Sequence, residues 1–121
     1  MDSMDREDRI DALVASQRPG YSLDQAFYDD AAIFARERER IFRNHWIMAG
    51  HVSQIPEPGD YRLFELAGES IILVRDAGGT VRAHYNVCRH RGSRVLLEPE
   101  GNARTLTCRY HGWTYAADGR L

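Results

Sequence analysis

Two short stretches carry the chemistry this sequence can do: Cys88-Arg89-His90-Arg91-Gly92 and Cys108-Arg109-Tyr110-His111-Gly112-Trp113. The chain holds only 2 cysteines and 5 histidines in 121 residues. Each cysteine is followed two or three positions later by a histidine, and residues 91–107 separate the two pairs. Thiolate and imidazole both ligate metals, so Cys88, His90, Cys108 and His111 form a candidate four-ligand set. Two sulfurs and two nitrogens suit an iron–sulfide cluster in which two Cys hold one iron and two His the other. Zinc accepts the same composition. Zinc sites, however, usually pair Cys with Cys and His with His, whereas each stretch here carries one of each. A Cys88–Cys108 disulfide is a third reading. Nothing marks the chain as secreted, and cytosolic thiols stay reduced.

Such ligands need two turns held face to face, and the sequence from Trp46 onward has a β texture that can supply them. Strands are expected over residues 61–66, 70–75, 80–87, 104–108 and 113–116, where β-branched and aromatic residues gather. Ala67-Gly68-Glu69 and Asp76-Ala77-Gly78-Gly79 are hairpin connections, and Asp118-Gly119 begins another tight turn. Pro56-Glu57-Pro58-Gly59-Asp60 is a turn cluster that no helix would cross. In this reading the strand before each motif delivers its cysteine, so both ligand pairs sit at hairpin tips. Gly92 and Gly112 follow the ligand turns. Without a Cβ they permit positive φ, which lets backbone N–H groups point at cluster sulfurs. Trp113 either shields the site from water or packs in the core. Arg89, Arg91, Arg94 and Arg109 sit at the loops, where cations favour a reduced, more negative cluster and raise its potential.

The first part of the chain reads as helical. A helix over residues 5–17 places Ile10, Leu13 and Val14 on one side, and Arg18-Pro19-Gly20 stops it. Ser22 with Gln25 reads as a capping box opening a second helix over residues 23–43. Phe27, Phe34 and Ile41 recur every seven residues and so share a face of it. The alternating charges of residues 36–40 read as a solvated face.

Composition narrows the function classes. Hydrophobic residues make up 43% and charged residues 28%, as in an ordinary globular chain of about one domain. A net charge of −2 gives no case for binding nucleic acid. No apolar run approaches the length of a membrane span. The acidic N-terminus lacks the apolar core of a signal peptide, so the cytoplasm is the default location.

The motifs over residues 86–113 closely resemble the N-terminal Rieske domain of the Rieske non-haem iron oxygenases, the α subunits of ring-hydroxylating dioxygenases and related monooxygenases and demethylases. Trp46, Gly50-His51, the turn over residues 55–60 and Asn86-Val87-Cys88 also match. The resemblance implies a mainly β Rieske fold, with antiparallel sheets and two cluster-binding loops, preceded by N-terminal helices. The resemblance covers roughly residues 23–121, and with the helical reading it divides the chain into a helical segment over residues 1–43 and a C-terminally incomplete Rieske domain over residues 44–121. Cys88, His90, Cys108 and His111 would hold a [2Fe-2S] cluster. The family's catalytic domain, with its mononuclear Fe(II), would lie outside this chain, which then has no catalytic residue of its own. Electrons would come from a reductase or ferredoxin. The full-length protein would be a homotrimer in which His111 faces an acidic residue of the neighbouring subunit and passes the electron on. The reaction implied is insertion of oxygen from O2 into an organic substrate, by hydroxylation or oxidative demethylation. A stand-alone Rieske ferredoxin is the alternative, which the oxygenase-type flanks and the long helical segment disfavour. The N-terminal half is nearest to the branch acting on quaternary ammonium compounds such as betaines, choline or carnitine, and an aromatic substrate stays open. Respiratory Rieske proteins carry an extra Cys in each cluster loop and a Ser after the second His-Gly. Both are absent here, which implies a potential toward the low end of the Rieske range, about −150 mV. The resemblance assigns no ligand role to His45, His51 or His84.

Overall fold

A computed structural model describes residues 3–121 of the chain. It forms two compact units, one up to Ile47 and one from Met48 to Leu121.

The first unit is helical. Helix α1 spans Ser3–Ala15. The second helix is not the continuous one expected over residues 23–43. It is split into α2 (Ala26–Asp29), α3 (Ala31–Glu37) and a π-helical turn (Arg38–Phe42). The break lies at Asp30, whose backbone is extended at φ −78° and ψ 120°. Its carboxylate accepts hydrogen bonds from the Ala32 and Ile33 N–H groups at 2.8 and 3.1 Å. A short acidic side chain that satisfies two orphan donors starts a new helix rather than continuing an old one. The Ser22–Gln25 capping box does not form. Asp24 accepts from the Ala26 N–H instead, and the Gln25 side chain donates to Asp29. The break and the π turn together destroy the sevenfold phase of Phe27, Phe34 and Ile41. Phe34 is 53% exposed and Ile41 46%, while Ile33 is the buried residue of α3. Glu7 takes Arg36 and Arg40 at 3.5 Å each, so the charged run meets α1 as well as solvent.

The second unit is antiparallel β. Strands β1 (Asp60–Leu66), β2 (Glu69–Arg75), β3 (Val81–Tyr85) and β4 (Glu100–Asn102) form one sheet in the order β3-β2-β1-β4. Strands β5 (Thr105–Thr107) and β6 (Thr114–Ala116) form a separate ribbon. Ala67 and Gly68 make the β1–β2 turn, both with positive φ, at 51° and 85°. That suits a two-residue hairpin, whose twist matches the strands. Alternation along β1 and β2 puts Tyr61, Ile72 and Val74 on one face, and they pack with Val95, Leu106 and Ala117 around Cys88 and Cys108. Strand β4 has no β signal in its Glu-Gly-Asn sequence. It pairs with β1, and Gly101 makes room for the Tyr61 ring, whose hydroxyl an added Cβ would approach to 3.0 Å. Among the described residues no helix is long and apolar enough to cross a membrane.

Asp76 closes the β2–β3 hairpin. Its carboxylate accepts from Arg82 Nε at 3.0 Å and from the Thr80 N–H at 2.8 Å. The Arg82 hydrogen bond, then that of Thr80, holds its pKa below the ordinary carboxylate value. A group whose folded pKa is depressed adds stability above its unfolded pKa and loses it as pH falls through the folded one. Asp76→Asn should therefore flatten the acid limb of the stability curve below about pH 4. Urea midpoints measured from pH 7 to pH 3 check this. An unchanged acid limb would show that Asp76 adds no pH-dependent stability.

Candidate metal centre

The two ligand loops share one backbone design. In the first, the Cys88 N–H donates to Ser93 O at 2.7 Å and the Gly92 N–H donates to Cys88 O at 2.8 Å. In the second, the Cys108 N–H donates to Trp113 O at 2.9 Å and the Gly112 N–H donates to Cys108 O at 2.8 Å. Gly92 and Gly112 have φ of 75° and 76°, with open space where a Cβ would stand. The backbone conformation, not crowding, selects glycine there. Their N–H groups are spent on the cysteine carbonyls and do not point at the sulfurs. The N–H groups that meet the Cys88 thiol are those of His90 and Arg91.

The loops do not spring from matching hairpins. The second is the tip of the β5–β6 ribbon, in register Thr107↔Thr114. The first is not a hairpin tip. Strand β3 ends at Tyr85, and the chain beyond Ser93 runs on to β4, which pairs with β1 at the other edge of the sheet.

The four candidate ligands divide by burial. Cys88 and Cys108 are each 2% exposed, and both thiols are free. His90 and His111 are exposed, with ring centroids 4.6 Å apart at an interplanar angle of 67°. Each imidazole has an aromatic brace. Trp113, from the second loop, stacks on His90 of the first at 4.6 Å and 11°, so the two loops interlock. Tyr110 meets the His111 ring edge to face at 4.1 Å. Trp113 also packs on the core, one of the two roles anticipated for it.

Tyr115 is a site residue that sequence reasoning missed. Its hydroxyl lies 3.5 Å from Cys88 Sγ, and its oxygen accepts from the Arg89 N–H at 3.2 Å. With that lone pair engaged, the hydroxyl hydrogen is free to donate to the sulfur. Tyr115 is the main reason the Cys88 thiol is held below its ordinary pKa, with the His90 N–H, Cys108 and the Arg91 N–H adding to it against burial. The same bond raises the Tyr115 pKa. No spacing rule could have found this contact, because Tyr115 follows the second motif and acts on the first.

The remaining histidines lie elsewhere. His51 caps the 3-10 turn Val52–Gln54, its Nδ1 accepting from the Ser53 N–H at 3.2 Å. His84 Nε2 lies 2.7 Å from Ala117 O and ties β3 to the turn after β6. His45 is exposed. Arg94 pairs with Glu65 at 3.7 Å and Arg91 lies over the Tyr110 ring, while Arg89 and Arg109 are exposed at the loop tips.

The donor set, two buried thiols and two exposed imidazoles, fits a binuclear cluster. A mixed-ligand [2Fe-2S] centre needs a sulfur pair on one side and an imidazole pair on the other. Here the sulfurs lie inside and the imidazoles outside.

Comparison with known proteins agrees. Residues 45–121 match the family model described as the Rieske [2Fe-2S] domain. The chain is 45% identical over 106 residues to the glycine betaine monooxygenase oxygenase subunit of Chromohalobacter salexigens, covering 87% of this chain and 24% of that protein. It is 40% identical over 110 residues to the biphenyl 2,3-dioxygenase subunit alpha of Rhodococcus jostii, covering 91% and 24%. Its fold superposes on the crystal structure of naphthalene 1,2-dioxygenase from Rhodococcus sp. bound to indole with a TM-score of 0.83 and 36% identity, over 94% of this chain and 26% of that one. The chain thus spans about a quarter of the length of the curated relatives it matches.

Proposed function

We propose, from the premise that this chain belongs to the Rieske [2Fe-2S] domain family, that it is the electron-accepting part of an oxygenase. Cys88 and Cys108 would hold one iron and His90 and His111 the other. The cluster, when bound, takes up and releases one electron at a time. The chain's own residues do the rest. The core around Cys88 and Cys108 keeps water from the sulfurs. Trp113 and Tyr110 fix the planes of the two imidazoles. The exposed histidine edges, flanked by Arg89, Arg91 and Arg109, are where electrons enter and leave.

The observation that carries the reading is the interlocked pair of Cys/His loops on a fold shared with oxygenase subunits. We divide the chain into a helical segment over residues 1–43 and the Rieske domain over residues 44–121. In the full-length protein a mononuclear iron in a further domain would insert oxygen from O2 into the substrate. A reductase or ferredoxin would supply electrons in the cytoplasm, and the protein would assemble as a homotrimer with His111 as the exit to the neighbouring subunit. The relatives that match are oxygenase subunits, which favours this reading over a stand-alone ferredoxin. The identity to the betaine enzyme supports a quaternary ammonium substrate ahead of an aromatic one.

The coding sequence downstream of Leu121 tests this first. It should continue in frame into a domain with two His and one carboxylate for iron. The full-length protein, given a reductase, should then consume O2 faster with glycine betaine than with biphenyl. A stop codon directly after Leu121, in a chain that still binds the cluster, would make it an electron carrier instead.

A further inference from the structure

The second ligand loop is closed at its base by the β5–β6 ladder, reinforced by the Thr107 and Thr114 hydroxyls at 3.1 Å. The first loop has no ladder beneath it, since neither residues 86–87 nor residues 94–97 are in a strand. We propose that Asn86 supplies what is missing: its side chain closes the base of the first loop and so positions Cys88 and His90. This inference rests on the reading that those two residues are ligands.

Asn86 is 1% exposed, and every polar atom of its side chain is engaged. Oδ1 accepts from the Val95 N–H at 3.0 Å and the Leu96 N–H at 2.9 Å. Nδ2 donates to Leu96 O at 2.7 Å and to Ser70 Oγ at 3.2 Å. Its own N–H donates to Ser70 O at 2.9 Å, which anchors it to β2. The amide thus takes both the N–H and the C=O of Leu96, as the backbone of a facing strand residue would in a hydrogen-bonded antiparallel pair. The side chain acts as one artificial ladder rung. It lies two residues before Cys88 and joins that side of the loop to Val95, two residues after Ser93. The Cys88–Ser93 hydrogen bond is the next rung toward the tip. Without Asn86, the buried Val95 N–H and the half-buried Leu96 N–H and C=O lose their partners.

The test compares Asn86→Ala and Asn86→Asp with the wild type, each as the full chain loaded with iron and sulfide. Hydrogen exchange read by mass spectrometry gives the loop stability, and electron paramagnetic resonance gives the cluster's symmetry. In Asn86→Ala, exchange over residues 87–97 should rise about tenfold or more, while that over residues 106–116 stays as in the wild type. The resonance line shape should change, and a chelator should strip the iron about tenfold faster. Asn86→Asp keeps an acceptor oxygen for the Val95 and Leu96 N–H groups but sets a second oxygen against Leu96 O in place of the Nδ2 donor, so it should keep only part of the protection of residues 94–97. Equal loosening of both loops, or a line shape identical to the wild type, would make Asn86 an ordinary core residue and overturn the proposal. If the alanine variant does not fold, Asn86→Asp decides alone: loosening confined to residues 87–97 supports the role, and equal loss in both loops, or none in either, removes it. A wild-type chain that takes up no cluster would refute the ligand reading instead, and exchange in the metal-free chains would still judge the Asn86 clamp.

Discussion

Cys108→Ser is expected to take up no cluster and to lose stability together with the metal. Cys108 is among the most deeply buried residues of the chain, and it joins Cys88 in the cluster of side chains formed by Tyr61, Ile72, Val74, Val95, Leu106 and Ala117. Cys88 follows the four-stranded sheet and Cys108 the two-stranded ribbon. A cluster held by both would therefore tie the two sheets together through this small core. The strands at the site are short, with 3 residues each in β5 and β6, so the ribbon has little stability of its own. Metal binding that exists only in the folded state adds its free energy to folding. The melting temperature of the variant should fall by about 10 °C or more relative to the loaded wild type. Iron and sulfide content together with thermal melts followed by circular dichroism measure both effects. A variant that keeps its full iron would remove Cys108 from the ligand set. Coincident melts of loaded and metal-free wild type would show that the cluster is no structural staple.

Tyr115→Phe should leave the cluster in place and lower its reduction potential. The Tyr115 hydroxyl reaches Cys88 Sγ at 3.5 Å, while the Arg89 N–H holds its oxygen in position. A donor to sulfur stabilises the reduced cluster more than the oxidised one, because the reduced cluster carries the extra negative charge. Removing the donor must then shift the potential downward. Tenfold in a one-electron equilibrium is about 59 mV, and a hydrogen bond to a charged group is worth about 1.5–3 kcal/mol before the two redox states are subtracted. A drop on the order of 50 mV follows. The ring packs against the core and phenylalanine keeps it, so the fold should change little. Protein-film voltammetry of the two proteins reads the difference. An equal or higher potential in the phenylalanine variant would show that the hydroxyl does not donate to the sulfur. This bond also qualifies the low potential implied by the absence of extra loop cysteines and of a serine after the second His-Gly, since Tyr115 supplies one donor that those features do not describe.

The sequence by itself determined what depends on near neighbours. The two Cys/His motifs are readable because the candidate ligands of each loop lie within a few residues of each other. The same holds for the glycines that end the loops, whose positive φ is a local demand of the turn. Strands β1, β2 and β3 were legible from side-chain type and alternation, and the Asp76 hairpin from its turn residues. Tertiary structure decided the rest. Asp30 breaks the helix because its carboxylate captures two backbone N–H groups, which a seven-residue apolar repeat does not register. Strand β4 has no β-favouring residues and is held by pairing with β1, where Gly101 leaves room for the Tyr61 ring and the Asn102 side chain donates to Pro58 O and Asp60. The first motif looked like a hairpin tip because a strand precedes it, but the returning chain pairs at the far edge of the sheet. Asn86 then fills the place of the missing partner strand. Tyr115, Trp113 and Asn86 act across loops or across the sheet, on residues 9 to 27 positions away or on the opposite motif. Contacts of that range leave no periodicity in a chain, because each depends on where two separate elements come to rest against each other.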